Sequence, residues 1–188
     1  LGLALIAYFG FSGVVFPLIA GAIGIISSII GILAVGTIKK DNPMMSINAG
    51  YLLMGITAAI LFYVSVVLML GGKLIFFLDI LIGIITAVLV GLLIQYYTSY
   101  QYKPVRTIAE AAKTGPATNI ITGLAVGMKS TGLPLILLSA AIVISYVISG
   151  GVTNHKLGFY GIAMATLGML SMTSIIMSVS YTHLTLPT

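Results

Sequence analysis

Long apolar segments alternate with short polar ones along the chain. The apolar segments cover about residues 3–37, 47–70, 74–95, 118–149 and 159–179. An α-helix needs about 20 apolar residues to cross the hydrocarbon layer of a bilayer, and each segment is long enough. Period-2 alternation over short segments, the mark of an outer-membrane barrel, is absent. Because backbone groups inside a membrane must then be paired within helices, the pattern predicts an all-α, polytopic transmembrane bundle with about five spans.

Proline and glycine mark the ends of the predicted spans. "KKDNP" ends the first, and Gly71-Gly72-Lys73 ends the second. The fourth follows Gly115-Pro116, with Thr118 or Asn119 as its predicted N-cap. At roughly 30 residues this span would be about 45 Å long, so it must tilt, bend or project into water. Pro134 offers a place for a bend.

Composition supports an integral membrane protein. The chain has 188 residues, of which 60% are hydrophobic and 6% charged, and its mean hydropathy is +1.22. The net charge of +5 comes from basic residues placed between the spans, so it indicates topology and not a nucleic-acid partner. The absence of cysteine excludes disulfides and thiol chemistry.

The basic residues predict the orientation. Because successive connections alternate sides, five of them share one side, namely Lys39, Lys40, Lys103, Arg106 and Lys113, whereas Lys73 and Lys156 lie on the other. Positive charge is enriched in cytoplasmic loops. We therefore expect the connections at residues 38–46 and 96–117 to be cytoplasmic.

Lys129 is the most notable charge within a span. "GLAVGMKST" around it lacks the spacing of a phosphate-binding loop, because Gly123 and Gly127 are too close together and Met128 precedes the lysine. A lysine inside a span is costly and suggests a functional role. Two interpretations stay open: structural pairing with a carboxylate or snorkelling to the interface, and a role in ion coupling or gating.

The acidic and histidine residues do not form a catalytic pattern. The three carboxylates Asp41, Asp79 and Glu110 lie in separate segments. Asp79 lies near the outer end of the third span, where an interfacial acid is expected in preference to an ion ligand, and His155 is expected to be solvated. No paired carboxylates, triad or metal cluster can be assigned. We therefore predict no catalytic, cofactor-binding or metal-binding residue in this chain.

The segment "QYYTSYQYKPVRTIAEAAKTGPATN", residues 95–119, is the best candidate for function. "PVRTIAEAAK" can form a short amphipathic helix with Arg106, Glu110 and Lys113 on its wet face. The alternative is an ordinary connector whose tyrosines form an aromatic belt at the headgroups; these are Tyr96, Tyr97, Tyr100 and Tyr102.

Two segments carry a resemblance to a known family. "YYTSYQYKPVRTIAEAAKTGPATNIITGLAVGMKSTGLP" (96–134) and "YGIAMATLGMLSMTSIIMSV" (160–179) resemble the membrane-integral inorganic pyrophosphatases, which pump ions. The resemblance implies a homodimer of sixteen-helix protomers, of which this chain, an internal fragment, would be the seventh to eleventh helices. It also implies pyrophosphate hydrolysis with Mg²⁺, in many members with K⁺, coupled to export of H⁺ or Na⁺.

The same resemblance places the cytoplasmic connection near the mouth of the substrate funnel. The residues concerned are Tyr96, Tyr97, Lys103, Arg106 and Lys113. The connection is expected to position the chemistry and not to perform it. The fragment itself is expected to be catalytically incomplete.

The resemblance ends at Val179. Where the family continues with an aspartate, this chain has Ser180 and reads "SYTHLTLPT". We therefore expect residues 1–179 to be transmembrane helices of the family and residues 180–188 to be a non-native tail. Two other functions stay open: a fragment of a secondary transporter or permease that uses Lys129 or Asp79 in coupling, and a purely structural membrane subunit.

Overall fold

Six helices make up the part of the chain that the structure describes. The computed structural model describes residues 6–37 and 43–173. The helices are α1 (Ile6–Thr37), α2 (Pro43–Met69), α3 (Leu74–Thr98), α4 (Lys103–Ala111), α5 (Pro116–Ile148) and α6 (His155–Ser171). These described ranges contain no strand. The prediction of an all-α helix bundle is therefore confirmed.

Glycine and proline set the helix boundaries. Gly71 and Gly72 connect α2 to α3 with φ values of 61° and 74°, in the left-handed region that favours glycine. α5 begins at Pro116, and the backbone N–H of Asn119 donates to the carbonyl of Gly115 at 3.2 Å. The predicted cap at Thr118 or Asn119 is therefore wrong. Proline is pre-organised for the first helical position, so the helix starts earlier than the polar residues suggested.

The two longest helices both contain proline. α1 has 32 residues and a non-helical backbone at Gly10, with φ 59° and ψ −153°, ahead of Pro17. α5 has 33 residues and stays helical through Pro134. Its length would be about 50 Å at the helical rise per residue, which exceeds the hydrocarbon thickness. The expectation that this helix is longer than the bilayer requires is confirmed.

The chain divides into two compact units. The first comprises residues 1–88 and 141–188, and the second comprises residues 89–140. In the first unit, α1 packs against α2 and α6. Its core contains large apolar side chains that are fully or almost fully buried, including Phe16, Met54, Phe62, Ile80, Tyr160 and Met164.

Glycines allow α3 and α6 to approach closely within the first unit. A Cβ at Gly83 would overlap the carbonyl oxygen of Ala165, and a Cβ at Gly168 would overlap the carbonyl oxygen of Ile80. Small residues let helix backbones come into contact in a membrane, where burial of apolar area provides little drive for association.

The second unit contains the end of α3, all of α4 and the first part of α5. None of its described hydrophobic side chains is buried. A Cβ at Gly123 or Gly127 would meet no described atom within 4 Å. The apolar side chains of this part of α5 are exposed, as expected for residues that face lipid or a neighbouring helix.

Among the residues that the structure describes, four helical stretches are long and apolar enough to cross a membrane. They are Gly10–Leu33, Asn48–Met69, Leu74–Ala111 and Pro116–Ile148. The predicted fifth span corresponds to α6, which has 17 residues, and the remainder of that prediction, residues 174–179, lies outside the described residues. The first four predicted spans are thus confirmed as helices of sufficient length, and the protein is an integral, multi-pass membrane protein.

Candidate functional site

The polar connection between α3 and α5 folds around the short helix α4. Tyr102 stands at the N-cap position with an extended backbone and no side-chain cap, and Pro104 occupies the first turn. After Ala111 the chain turns through Gly115, whose φ of 138° suits glycine. The predicted amphipathic helix in "PVRTIAEAAK" is therefore confirmed as α4.

Tyrosine rings pack together where α3 ends. The rings of Tyr96 and Tyr97 meet edge to face, with their centroids 5.2 Å apart. Tyr102 lies against Tyr96 in a tilted arrangement, with centroids 5.1 Å apart. Aromatic pairs of this geometry add about 0.5–1.5 kcal/mol beyond the area that they bury. The cluster thus ties the end of α3 to the start of α4.

Basic side chains of the connection are exposed. Lys103, Arg106 and Lys113 all lie on the surface, as does Glu110. The Nε of Arg106 donates to the carbonyl oxygen of Tyr100 at 3.4 Å, which leaves the other N–H groups of the guanidinium for an anion. Exposure of Arg106, Glu110 and Lys113 confirms the predicted wet face of α4. Exposed cations can attract an anionic substrate or lipid headgroups.

Lys129 is exposed on α5. Within residues 6–37 and 43–173 it makes no ion pair or hydrogen bond. Both interpretations of this lysine therefore stay predictions.

The described residues do not fit a Mg²⁺ site. Mg²⁺ prefers oxygen ligands and is usually held by carboxylates together with phosphate oxygens. No group of three or more His, Cys, Asp or Glu side chains comes together in the described ranges. The connection supplies cations in place of carboxylates, so it can contact an anion but cannot hold the metal.

A second polar site lies in the first unit, around Asp79. Its side chain is 0% exposed and accepts a hydrogen bond, through Oδ2, from the hydroxyl of Ser149. Asp79 lies near the start of α3, so its interfacial depth stays a prediction, but α5 and α6 cover the carboxyl group. Gly161 of α6 makes room for it, since a Cβ there would lie 2.9 Å from Asp79 Oδ2.

His155 begins α6 at the surface of the first unit. It is exposed, as predicted, and its Nδ1 shares a hydrogen bond with the hydroxyl of Tyr146. The two rings also stack, with centroids 6.3 Å apart. This contact joins the end of α5 to the start of α6 and has no further titratable partner that would make it a catalytic site.

These features define a multi-pass membrane protein with a basic, tyrosine-rich connection between two long spans. The model of the family described as Inorganic H+ pyrophosphatase matches residues 1–182. The match covers nearly the whole chain, and the protein belongs to this family. The resemblance inferred from the sequence is confirmed.

Characterised relatives share this sequence over most of its length. It is 44% identical over 182 residues to the K(+)-insensitive pyrophosphate-energized proton pump 2 of Moorella thermoacetica, covering 95% of this chain and 27% of the relative. It is 43% identical over 190 residues to a K(+)-insensitive pyrophosphate-energized proton pump of Caldanaerobacter subterraneus, again with 95% and 27% covered.

A relative from Clostridium tetani, provisionally named a K(+)-stimulated pyrophosphate-energized sodium pump, is 40% identical over 183 residues. The match covers 95% of this chain and 26% of that relative. The chain thus spans about a quarter of the length of the curated relatives that it matches.

Sequence reasoning missed the site at Asp79. The signal was present, because an acid inside an apolar helix must find polar partners, and Ser145 on α5 lies four residues before Ser149, which follows the end of that helix. What the sequence did not reveal is that α5 turns this serine face towards α3. That pairing joins residues 70 positions apart.

Proposed function

We propose that this chain is a helical segment of a pyrophosphate-energised ion pump, an enzyme that couples hydrolysis of inorganic pyrophosphate to export of H⁺ or Na⁺ across a membrane. The observation that carries the proposal is the family match over residues 1–182, together with 44% identity to a relative named as such a pump. The match favours a pump over a permease or a purely structural subunit.

The catalytic groups of this pump lie elsewhere in the protein. The described residues hold no carboxylate cluster for Mg²⁺, and hydrolysis of a phosphoanhydride needs its charge to be neutralised. Mg²⁺ and, where it is required, K⁺ would bind outside this segment. The isolated chain is accordingly expected to have no hydrolytic activity.

The connection around α4 positions this machinery and attracts its substrate. It would face the cytoplasm, as the excess of basic residues at 38–46 and 96–117 indicates. Lys103, Arg106 and Lys113 present exposed positive charge to an approaching anion. The tyrosine cluster of Tyr96, Tyr97 and Tyr102 would hold these charges in place.

The quaternary and topological proposals follow from the family resemblance. The whole protein would be a homodimer of sixteen-helix protomers in a lipid bilayer, and this chain would supply the seventh to eleventh helices. The exposed apolar surface of α5 is consistent with contact with lipid or with further helices. The proposal that residues 180–188 form a tail foreign to the family stands beside a family match that extends to residue 182.

A chimera provides the test. Residues 1–179 replace the matching segment of the Moorella thermoacetica pump, and pyrophosphate hydrolysis is measured in isolated membranes with and without Mg²⁺. We expect Mg²⁺-dependent hydrolysis above that of membranes lacking the chimera. A well-expressed, correctly inserted chimera without hydrolysis would contradict the proposal that this segment belongs to a working pump.

The basic residues are then tested one at a time in the same chimera. Because Lys103, Arg106 and Lys113 act by attraction and not by chemistry, their replacement by Gln should raise the KM for pyrophosphate and leave kcat little changed. Lys156, an exposed lysine of the first unit, is the matched control, and Lys156→Gln should change neither constant. A fall in kcat at constant KM would contradict the positioning role.

The transported ion is read from inside-out vesicles. Uptake of H⁺ is followed with a pH-sensitive dye, and uptake of Na⁺ with the radioactive ion, each started by adding pyrophosphate. Because the matched relatives include pumps named for H⁺ and a pump named for Na⁺, this measurement identifies which ion the chimera transports. Absence of both signals despite hydrolysis would contradict coupling.

A further inference from the structure

The polar site of the first unit has two buried oxygen atoms without hydrogen-bond partners. Asp79 and Ser145 are both 0% exposed, and Ser149 is 6% exposed. The Ser149 hydroxyl donates to Asp79 Oδ2, but Asp79 Oδ1 and Ser145 Oγ have no partner among the residues that the structure describes. Ser145 faces the same carboxyl group from one turn earlier on α5.

Within the described residues, no positive charge pairs with this carboxyl group. The other titratable side chains on the segments that adjoin it, which are the start of α3, the end of α5 and α6 with their flanking turns, are Lys73, Tyr146, His155, Lys156 and Tyr160. The two lysines and His155 are exposed, Tyr146 shares its hydroxyl with His155, and Tyr160 donates to the carbonyl of Gly13. The hydrogen-bonding groups that face Asp79 in the described part of the chain are serine hydroxyls.

An uncompensated carboxylate buried among helices is very costly, so it binds a positive charge or becomes neutral. A metal cation would need more oxygen ligands than this site presents, since hard cations take six or more. A proton needs only one acceptor. A proton on Oδ1 can be donated to Ser145 Oγ, and that single bond satisfies both partnerless atoms at once.

We propose that Asp79, Ser145 and Ser149 form a buried proton-binding site in which the carboxyl group is neutral and bridges α3 to α5. The carboxylate accepts one proton from a hydronium ion: an O–H bond forms at Oδ1, one O–H bond of the hydronium ion breaks, and a water molecule is released. In the resulting arrangement Oδ1–H donates to Ser145, and Ser149 donates to Oδ2. Gly161 of α6 covers the site closely, because a side chain there would overlap Ser149.

Infrared spectroscopy tests the protonation state without depending on pump activity. The purified chimera in lipid is recorded at neutral pH, and the spectrum of Asp79→Asn is subtracted from that of the parent. We expect the difference to contain the C=O stretching band of a protonated carboxyl group. Glu110→Gln, which removes an exposed carboxylate, is the matched control and should produce no such band. A carboxylate band in the Asp79 difference would overturn the proposal.

Thermal unfolding supplies a second test with its own prediction. Asparagine has the shape of a protonated aspartate and can donate to Ser145 while accepting from Ser149. Asp79→Asn should therefore keep the Tm of the parent, whereas Asp79→Ala, Ser145→Ala and Ser149→Ala should each lower it. If Asp79→Asn lowers the Tm as much as Asp79→Ala, the site requires an ionised carboxylate and the proposal fails.

The alternative occupant of the Asp79 site is Na⁺ in place of a proton. If the site bound Na⁺, adding NaCl in place of choline chloride would raise the Tm of the parent and not that of Asp79→Asn. We expect no such Na⁺-dependent difference. This measurement and the infrared one use the folded protein in the absence of pyrophosphate, so failure of the proton site and failure of the proposed pump function are separate results.

Discussion

The two units of this chain use the same residue types in opposite ways. In the first unit, glycines such as Gly83 and Gly168 lie directly against the backbone of a neighbouring helix, and a carboxyl group is buried among them. In the second unit, Gly123 and Gly127 face open space, and the charged side chains are exposed. The first pair thus lies in helix contacts within this chain, and the second pair lies on a surface that lipid or further helices of the pump would cover.

The largest difference between the two units in the free energy of unfolding is expected when a large side chain is truncated to alanine. Phe62 is 0% exposed in the first unit, and Phe62→Ala should cost about 3–5 kcal/mol because it leaves a cavity. Leu124→Ala in the second unit, where the leucine is 63% exposed, should cost far less. Denaturant titration of each chimera in mild detergent measures the two values, and equal losses would contradict the division between the units.

Adding a methyl group at the two kinds of glycine is the next test. Gly83→Ala places a Cβ against the carbonyl of Ala165 and should cost about 1–3 kcal/mol, since backbone must move. Gly127→Ala meets no described atom of this chain and, where lipid covers that face of α5, should be neutral or stabilising by up to about 1 kcal/mol, because alanine favours helix. The Tm of each variant is compared with that of the parent, and we expect a lower Tm for Gly83→Ala than for Gly127→Ala. A higher Tm for Gly83→Ala would contradict the close approach of α3 and α6.

A single buried hydrogen bond gives a smaller effect. The Tyr160 hydroxyl donates to the carbonyl oxygen of Gly13 at 3.3 Å, joining α6 to α1. Tyr160→Phe keeps the ring contact with Phe76 and removes this bond, so the expected loss is about 1 kcal/mol. Tyr100→Phe, at an exposed position of the second unit, is the control and should leave the unfolding midpoint unchanged.

The smallest effect on stability is expected at Arg106. Its bond to the Tyr100 carbonyl is 3.4 Å long and exposed to solvent, so Arg106→Gln should change stability by less than about 1 kcal/mol. Any larger effect of this variant should appear in the KM for pyrophosphate, as argued above. Loss of folded protein in Arg106→Gln would show instead that the connection is a structural element.

Much of the fold was predictable because the membrane restricts the possibilities. Apolar segments of sufficient length, broken by glycine and proline, predict helices, and the first four spans agree with the structure to within a few residues except at the start of α2. α4 was also predictable, because its charged and apolar residues alternate with helical period. Composition does not reveal which helix faces meet.

The polar sites show the same limit. The exposure of Arg106 and Lys113 followed from local pattern, since a charged face on a short helix turns towards water. The burial of Asp79 did not, because it depends on serines of α5 and on a glycine of α6 that only tertiary packing brings together. Long-range contacts of this kind leave no periodic signal in a single sequence.

The close packing at Gly83, Gly161 and Gly168 also restricts how the protein can change during evolution. A mutation at any of these codons introduces at least a methyl group where backbone or buried polar atoms already stand. Natural variants should therefore retain glycine at these three positions. Selection should therefore remove most substitutions at these closely packed glycines of the first unit.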